Sequence, residues 1–392
     1  MSPKLQDSLP DTQNLDMREA TRWMARAVKL AKRGRYTARP NPCVGCVLVN
    51  DGQCVGEGWH YRAGEQHAEV HAIKSAGSMV KGATAYVTLE PCNHQGKTGP
   101  CSQALIEAGI ARVVYGMKDP NPLVSGQGLS TLKDAGVQVD GPVLEQECHR
   151  INEGFISRME RQRPWVRCKM ATSLDGRTAM SSGESQWITG DAARADVQKL
   201  RARSGAVITG IASVLQDDSR LTLRKGELAL SNVDDILSCP PLRVVLDSQL
   251  RIDEAAAILS PIAKTLVMTT ERNAQLQQDK VSRLHAMGNH VEVVVLPEGN
   301  DGRLPLLEVL LHLAEHHACN DVLVEAGATL SGAFLQQGLI DEMFIYQAPV
   351  LLGSQARPLF DLPIDSMSGK KSLTVTDKRQ LGDDQRIIAR IK

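Results

Sequence analysis

Short apolar, β-branched runs alternate with segments of helical periodicity along almost the whole chain, and this alternation narrows the possible folds more than any other feature. From Met17 onward, Ala20, Trp23, Ala27, Leu30 and Ala31 recur at spacings of three and four, which makes one apolar helical stripe. A buried strand is expected over 44–49, turned by Asn50-Asp51-Gly52 into a second strand around 54–58. A helix over 67–76, a strand over 85–89 and a Pro/Gly-rich loop over 91–100 follow. A helix over 101–108 then closes at Gly109, and a strand covers 112–116. This order predicts a three-layer α/β domain with a mostly parallel sheet.

The charged stretch 145–163 is expected to be helical and ends at Pro164, where a strand over 165–170 begins. The domain junction is placed there. The division is a lead-in over 1–16 without fixed structure, a first domain over 17–162 and a second over 163–392. The second half repeats the alternation: helix 191–203, strands 206–209, 242–246, 265–269 and 291–295, helix 304–317, strand 322–325, helix 329–337 and strand 343–348. The polar stretch 225–241 reads as an excursion between strands. With 392 residues, each half is long enough to bury a core.

Lys plus Arg number 45 and Asp plus Glu 45, so the chain lacks the cationic surplus that a polyanion partner draws on. A small substrate is expected instead. The longest apolar run, 304–313, is well short of the ~20 residues of a membrane span. Residues 1–14 carry neither an apolar run nor an Arg-rich amphipathic pattern, so a cytoplasmic protein is expected, with Met17 an alternative start. Nine cysteines, odd in number and widely spread, argue against a disulfide framework and read as buried hydrophobes or ligands.

Spacing picks out the ligands. His67-Ala68-Glu69 opens a helix, Pro91-Cys92 follows a strand, and Cys101 opens the next helix. One imidazole and two thiolates suit Zn²⁺ with a fourth position left for water, the layout of a catalytic site. Helix N-termini favour ionised thiolates, and a bound Zn²⁺ lowers the pKa of its water toward ~7. Glu69 is placed to carry protons. The pattern matches the H-x-E…P-C-x-x-C signature of zinc deaminases except for the longer gap between cysteines. His71 shares the helix face of His67 and competes as a ligand, while Cys43 and Cys46 offer further thiols, Cys46 reading as core. His60 and His94 read equally as pocket or surface residues. The Asn41 amide suits the edge of a pyrimidine ring, and Lys97 and Thr98 offer a cation and a hydroxyl to a substrate phosphate.

In the second half no G-x-G-x-x-G follows a strand, so a Rossmann site is not expected. The strand over 322–325 instead runs through Gly327 into a helix near Thr329, whose N-terminus suits a cofactor phosphate, an ordinary strand-to-helix turn being the other reading. Arg201 and Arg224 suit phosphate clamps or solvated charges, and Trp187 has the usual fate of a tryptophan, the core.

Asn41-Pro42-x-Val44-Gly45, His67-Ala68-Glu69 and Glu90-Pro91-Cys92-Asn93-His94-x-Gly96-x-Thr98-x-Pro100-Cys101 resemble the deaminase half of the RibD family of bifunctional riboflavin-biosynthesis enzymes, which has the longer cysteine gap. Lys169-x-Ala171-x-Ser173-Leu174-Asp175-Gly176, Ser185-x-Trp187-Ile188-Thr189, Val214-Leu215-x-Asp217-Asp218 and Val324-Glu325-Ala326-Gly327 resemble its reductase half. The resemblance runs from Met17 to the C-terminus; the family commonly has Gly at 326, Pro at 219 and Thr at 213.

The resemblance implies a cytidine-deaminase-like three-layer domain followed by a dihydrofolate-reductase-like α/β domain. It implies hydrolytic deamination of 2,5-diamino-6-ribosylamino-4(3H)-pyrimidinone 5′-phosphate, then NADPH-dependent reduction of the ribosyl group to ribityl. By residue matching, His67, Cys92 and Cys101 are the Zn²⁺ ligands, Glu69 the proton shuttle, and Asn41, His60, His94, Lys97 and Thr98 the deaminase pocket. Ala171, Trp187, Ser213, Asp217, Ser248, Gly327, Ala328, Thr329 and Leu330 are matched to NADPH, and Ser185, Arg201, Leu221, Arg224 and Glu325 to the ribotide. Lys169 is the candidate for assisting ribosyl ring opening. The expected partners are a pyrimidine ribotide and further copies of the chain, a dimer being favoured, with no nucleic acid and no membrane.

Overall fold

The computed structural model describes residues 15–93, 99–122 and 124–392; nearly all of the expected lead-in, and also His94, Lys97 and Thr98, lie outside these described residues. The chain forms two compact units, one made of the described residues up to Gly34 with Cys43–Ile151, the other of Arg35–Pro42 with Asn152–Lys392.

In the first unit the Asp16 carboxylate accepts from the Arg18 N–H at 2.9 Å and so caps α1 (Met17–Ala31), whose Ala20, Trp23, Ala27 and Leu30 are buried as the apolar stripe requires. There follow β1 (Gly45–Asn50), β2 (Gln53–Trp59), α2 (Ala68–Ala76), β3 (Thr84–Val87), α3 (Cys101–Glu107), β4 (Arg112–Tyr115), α4 (Gln127–Asp134), β5 (Gln138–Asp140) and α5 (Glu145–Ile151). The sheet order is β2-β1-β3-β4-β5. Only β3–β4 and β4–β5 are parallel, and β1 is antiparallel to both its neighbours, so the sheet is mixed rather than mostly parallel. The cause is the hairpin at Asp51-Gly52, both with positive φ: it reverses the chain, and the crossover through α2 then sets β3 beside β1 in the direction of β2. Close approach of α2 to β2 requires glycine. A Cβ at Gly58 would stand 2.2 Å from the Ala68 carbonyl oxygen. Leu48, Val87, Leu105, Val113 and Leu132 fill the core.

The expected helix over 145–163 breaks at Asn152, and α6 (Glu153–Arg161) joins the second unit through ion pairs of Glu153 with Arg390 and of Arg161 with Asp341. The junction expected at Pro164 lies one helix further along. Then come β6 (Trp165–Thr172), β7 (Arg177–Ala179), α7 (Asp191–Arg203), β8 (Ala206–Gly210), α8 (Ile211–Asp217), α9 (Lys225–Leu228), α10 (Val233–Leu237), β9 (Leu242–Leu246) and β10 (Thr265–Thr270). The chain continues through α11 (Glu271–Leu276), α12 (Gln278–Ala286), β11 (Val291–Leu296), α13 (Leu306–His316), β12 (Asp321–Val324), α14 (Ala328–Gln336), β13 (Glu342–Gln347), β14 (Arg357–Pro358), β15 (Leu373–Leu381) and β16 (Asp384–Ile391).

The large sheet has the order β11-β10-β9-β8-β12-β6-β13-β16-β15, parallel from β11 to β13 and antiparallel over the last hairpin. Strands β8 to β11 march outward in sequence, and β12 returns to the other side of β8. Such a reversal opens a crevice at the carboxyl ends of the strands. Alternate strand residues feed two cores, Val166, Ile208 and Val244 with Leu310 and Phe334 on one face, Val207, Val245 and Val267 with Leu284 on the other. The stretch 225–241 is more than a polar excursion: α9 and α10 bury Leu228 and Ile236 against Ala202, with Tyr36 packed beside them. Among the described residues no helix is long and apolar enough to cross a membrane.

Candidate active sites

In the first unit, three breaks between strand and helix converge. His67 is the N-cap of α2, extended at ψ 168, and its side chain makes no capping bond. Cys92 leaves β3 after Pro91, and Cys101 is the first residue of α3. The His67 Nδ1 stands 3.2 Å from Cys101 Sγ and 3.5 Å from Cys92 Sγ, and the three ligand atoms lie within 4.8 Å of one another. The Cys101 N–H, at the start of α3, donates to Cys92 Sγ at 3.4 Å. The Cys101 thiol and then His67 hold the Cys92 thiol down at about 4, while the shared proton and burial push Cys101 far up. Two sulfurs and one nitrogen converging at this spacing fit Zn²⁺, which would replace the shared proton.

Glu69 is the second residue of α2, in its first turn, and is buried, with Oε2 lacking a hydrogen-bond partner among the described residues. Burial, reinforced by the Cys92 charge, pushes its carboxyl up to about 7. A buried carboxylate oxygen beside three side chains that could ligate a metal is the feature a proton carrier needs. His60 is buried edge-on to the His67 ring, with centroids 5.2 Å apart and Nδ1 3.2 Å from the Gln66 carbonyl oxygen. Burial pushes it down to about 4, so it is neutral, with Nδ1–H donating to Gln66. His71 stays outside the ligand group, and Cys46 is core as expected. Asn41 falls in the segment Arg35–Pro42, which groups with the second unit.

Sequence reasoning overlooked Glu90. It is buried next to Pro91-Cys92, and its carboxylate accepts the N–H groups of Asp119 (3.3 Å), Gly126 (3.0 Å) and Gly128 (3.1 Å). Gly128 packs so tightly on Pro91 that a Cβ would stand 1.9 Å from the Pro91 oxygen. The signal was an acidic residue shortly after a strand, two positions before the candidate ligand Cys92.

In the second unit a cleft of about 1060 Å³ opens at the carboxyl ends of β6, β8, β9 and β12. Lys169, Ala171, Ser185, Trp187, Arg201, Ser213, Asp217, Leu221, Arg224, Ser248, Glu325, Gly327, Ala328, Thr329 and Leu330 all line it, which brings together every reductase residue singled out from sequence. Gly327 caps α14, nothing lies within 4 Å of a Cβ built on it, and the first helical bond is Ser331 N–H to Gly327 O. The N–H groups of Ala328, Thr329 and Leu330 precede that bond at the cleft wall, an arrangement suited to a phosphate.

Two expectations change. Trp187 is not core: it is 64% exposed, and the Arg194 guanidinium lies 4.6 Å from its ring centroid. Arg201 is not a free phosphate clamp, because Glu325 holds it bidentately (Nε–Oε1 2.6 Å, Nη2–Oε2 2.9 Å) and Nη1 donates to Thr222 O at 3.2 Å. Burial alone would raise the Glu325 carboxyl, and Arg201 more than offsets it. Arg224 pairs with Glu227 at 3.0 Å, near the surface. Burial lowers the Lys169 ammonium, against the pull of Glu325.

Residues 17–117 match the family model of the cytidine and deoxycytidylate deaminase zinc-binding region, and residues 164–386 that of the RibD C-terminal domain. The chain is 47% identical over 368 residues to the riboflavin biosynthesis protein RibD of Escherichia coli K12, covering 92% of this chain and 96% of that protein. Among solved structures it resembles RibD of Acinetobacter baumannii, with 45% identity and TM-score 0.86 over 96% of this chain and 100% of that one. It also resembles a diaminohydroxyphosphoribosylaminopyrimidine deaminase/5-amino-6-(5-phosphoribosylamino)uracil reductase from Thermotoga maritima, with 31% identity and TM-score 0.81 over 96% and 99%.

Proposed function

This chain belongs to the RibD family of bifunctional riboflavin-biosynthesis enzymes, with a deaminase domain and a reductase domain, and from that premise we propose the substrate, the cofactors and the part each residue plays. The deaminase, in the first unit, removes the amine of 2,5-diamino-6-ribosylamino-4(3H)-pyrimidinone 5′-phosphate, and the reductase, in the second, then converts ribosyl to ribityl with NADPH. The protein acts in the cytoplasm as a homo-oligomer, a dimer by preference.

His67, Cys92 and Cys101 would hold Zn²⁺, whose chemistry there would be to acidify a bound water toward neutral pH. Glu69 would move both protons of the attacking water: its Oε2 takes the first and passes it to the ring nitrogen, then takes the second from the same oxygen, now on the ring carbon, and passes it to the amine, which leaves as ammonia. His60, buried and neutral, presents Nε2 as an acceptor, and Asn41, His94, Lys97 and Thr98 complete the substrate contacts.

In the second unit NADPH, when bound, would supply the hydride for the anomeric carbon. The N–H groups of Ala328, Thr329 and Leu330 beyond Gly327 would hold its phosphates, and Ala171, Trp187, Ser213, Asp217 and Ser248, which line the same cleft, would contact the rest. Ser185, Leu221 and Arg224 bind the ribotide, while Glu325 and Arg201 act as one paired unit. Lys169, made a readier acid by burial, protonates the ribosyl ring oxygen as the ring opens.

The observation that carries the deaminase reading is the convergence of His67, Cys92 and Cys101 within 4.8 Å beside the unpartnered Glu69 oxygen. Mass analysis of the zinc-loaded protein's products tests it. Amine-to-oxygen exchange is expected without NADPH, and addition of two hydrogens only with it. Glu69→Gln should keep its metal and lose the exchange; normal turnover in that variant refutes the proton role.

A further inference from the structure

The reductase cleft has two chemically different ends, whose roles rest on its assignment to NADPH. The α14 N-terminus at Gly327 follows β12. In sheet order Lys169 lies to one side of it, on β6, and Ser248 to the other, just beyond β9. With the reacting carbon at Lys169 and the phosphates at α14, the adenosine ribose would fall at Ser248.

The loop after β11 closes over that end. Gly299 N–H donates to Arg303 O at 2.8 Å, Arg303 N–H donates to Asp301 Oδ1 at 3.1 Å, and Leu304 N–H donates to Ser248 Oγ at 3.1 Å. Arg303 is therefore about 3.8 Å of Cα path from a residue bonded to Ser248. The Ser248 hydroxyl oxygen already accepts, which leaves its proton to donate. The Ser248 carbonyl is occupied by the hydroxyls of Thr269 (3.2 Å) and Thr270 (3.1 Å). Arg303 lines the cleft and forms no ion pair among the described residues. The other cleft arginines without an ion pair among the described residues stand elsewhere: Arg220 adjoins Leu221 of the ribotide site, and Arg357 lies on β14 against β7, bonded to Gln216 at 3.3 Å.

We propose that Arg303 and the Ser248 hydroxyl recognise the 2′-phosphate of the cofactor, so that Arg303 selects NADPH over NADH. The planar guanidinium offers paired donors to phosphate oxygens, and the hydroxyl adds a third. Asp301 also lines this end. A carboxylate is the group that reads an unphosphorylated ribose diol, but here Asp301 turns an oxygen to the Arg303 N–H at the base of the loop.

The test is calorimetric titration of the full-length protein with 2′,5′-ADP and with 5′-AMP, for wild type, Arg303→Ala and Arg303→Lys. Wild type is expected to bind 2′,5′-ADP more tightly. Arg303→Ala should weaken 2′,5′-ADP about ten- to a hundredfold and leave 5′-AMP unchanged, with Arg303→Lys recovering part of the loss. Equal losses for the two probes, no loss in Arg303→Ala, or tighter binding of 5′-AMP by wild type would overturn the role of Arg303 while leaving the cleft a nucleotide site. Failure of wild type to bind either probe would refute the dinucleotide reading itself.

Discussion

Replacing Glu90 by Gln tests whether the zinc-site cysteine loop is held from behind. In the wild type Oε2 accepts from Asp119 and Gly126 and Oε1 from Gly128, all from a buried position. An amide keeps one oxygen. With that oxygen toward Asp119 and Gly126, the NH₂ faces the Gly128 N–H, so one bond to a charged acceptor is lost and a buried donor is left without a partner. The two remaining bonds fall to neutral strength. Losing a charge-assisted bond costs about 1.5–3 kcal/mol, and with the weakening of the others the total is about 2–4 kcal/mol. At an m-value of about 2 kcal/mol per molar urea, the first unit's midpoint falls by roughly 1–2 M. Urea unfolding followed by tryptophan fluorescence, with Trp23 and Trp59 in this unit, reads that transition. Because the Pro91 oxygen packs on Gly128, the loop carrying Cys92 should loosen as well, and a chromogenic chelator should strip metal about ten- to a hundredfold more readily. A midpoint shift below about 0.3 M with unchanged metal release would show that the Glu90 contacts do not hold the site.

Cys101→Ser leaves one thiolate and one imidazole, so metal per chain should fall to near background by atomic absorption; full metal content would reject Cys101 as a ligand. Glu325→Gln breaks a buried bidentate pair and leaves Arg201 uncompensated, at about 3–5 kcal/mol to the second unit by calorimetry, whereas a loss under about 1 kcal/mol would mean the pair behaves as a surface bridge. Burial, then the charges of neighbouring histidines and of Lys264, lowers His312 and His317, against the opposing pull of Glu292 and Glu315. The unfolded imidazoles therefore bind protons first, and the stability these groups carry is intact above about pH 6.5 and lost as pH falls through and below it. The double variant His312→Gln/His317→Gln should flatten the decline in melting temperature between about pH 7 and pH 5; an unchanged slope would exclude these histidines as its source.

Where local chemistry decides structure, sequence and structure agree closely. Helix α7 and strand β9 span the residues that periodicity indicated, because each carries a one-sided or continuous apolar signal bounded by turn residues. His67, Cys92 and Cys101 were legible because each sits at a strand or helix end, where few residue types are neutral choices. The hairpin β15–β16 went unread: β15 is exposed along nearly its whole length, and its apolar alternation, Leu373 and Val375, stops at the charged run Asp377-Lys378-Arg379. The short helices α9 and α10 were hidden for the opposite reason, each having one buried anchor, Leu228 or Ile236, in an otherwise polar stretch.

The sequence by itself determined the two α/β halves, the ligand set with its acid, and the helix that opens at Gly327, since period, capping and ligand chemistry are properties of neighbours along the chain. Tertiary structure alone decided that β1 would run against both its neighbours, that Trp187 would face the cleft, and that Arg201 would be taken up by Glu325 across 124 positions of sequence. It also aimed Glu90 at three amides from 29 to 38 residues away. These outcomes depend on which distant groups meet when helices cover the sheet, and such contacts leave no periodic trace in the chain that makes them.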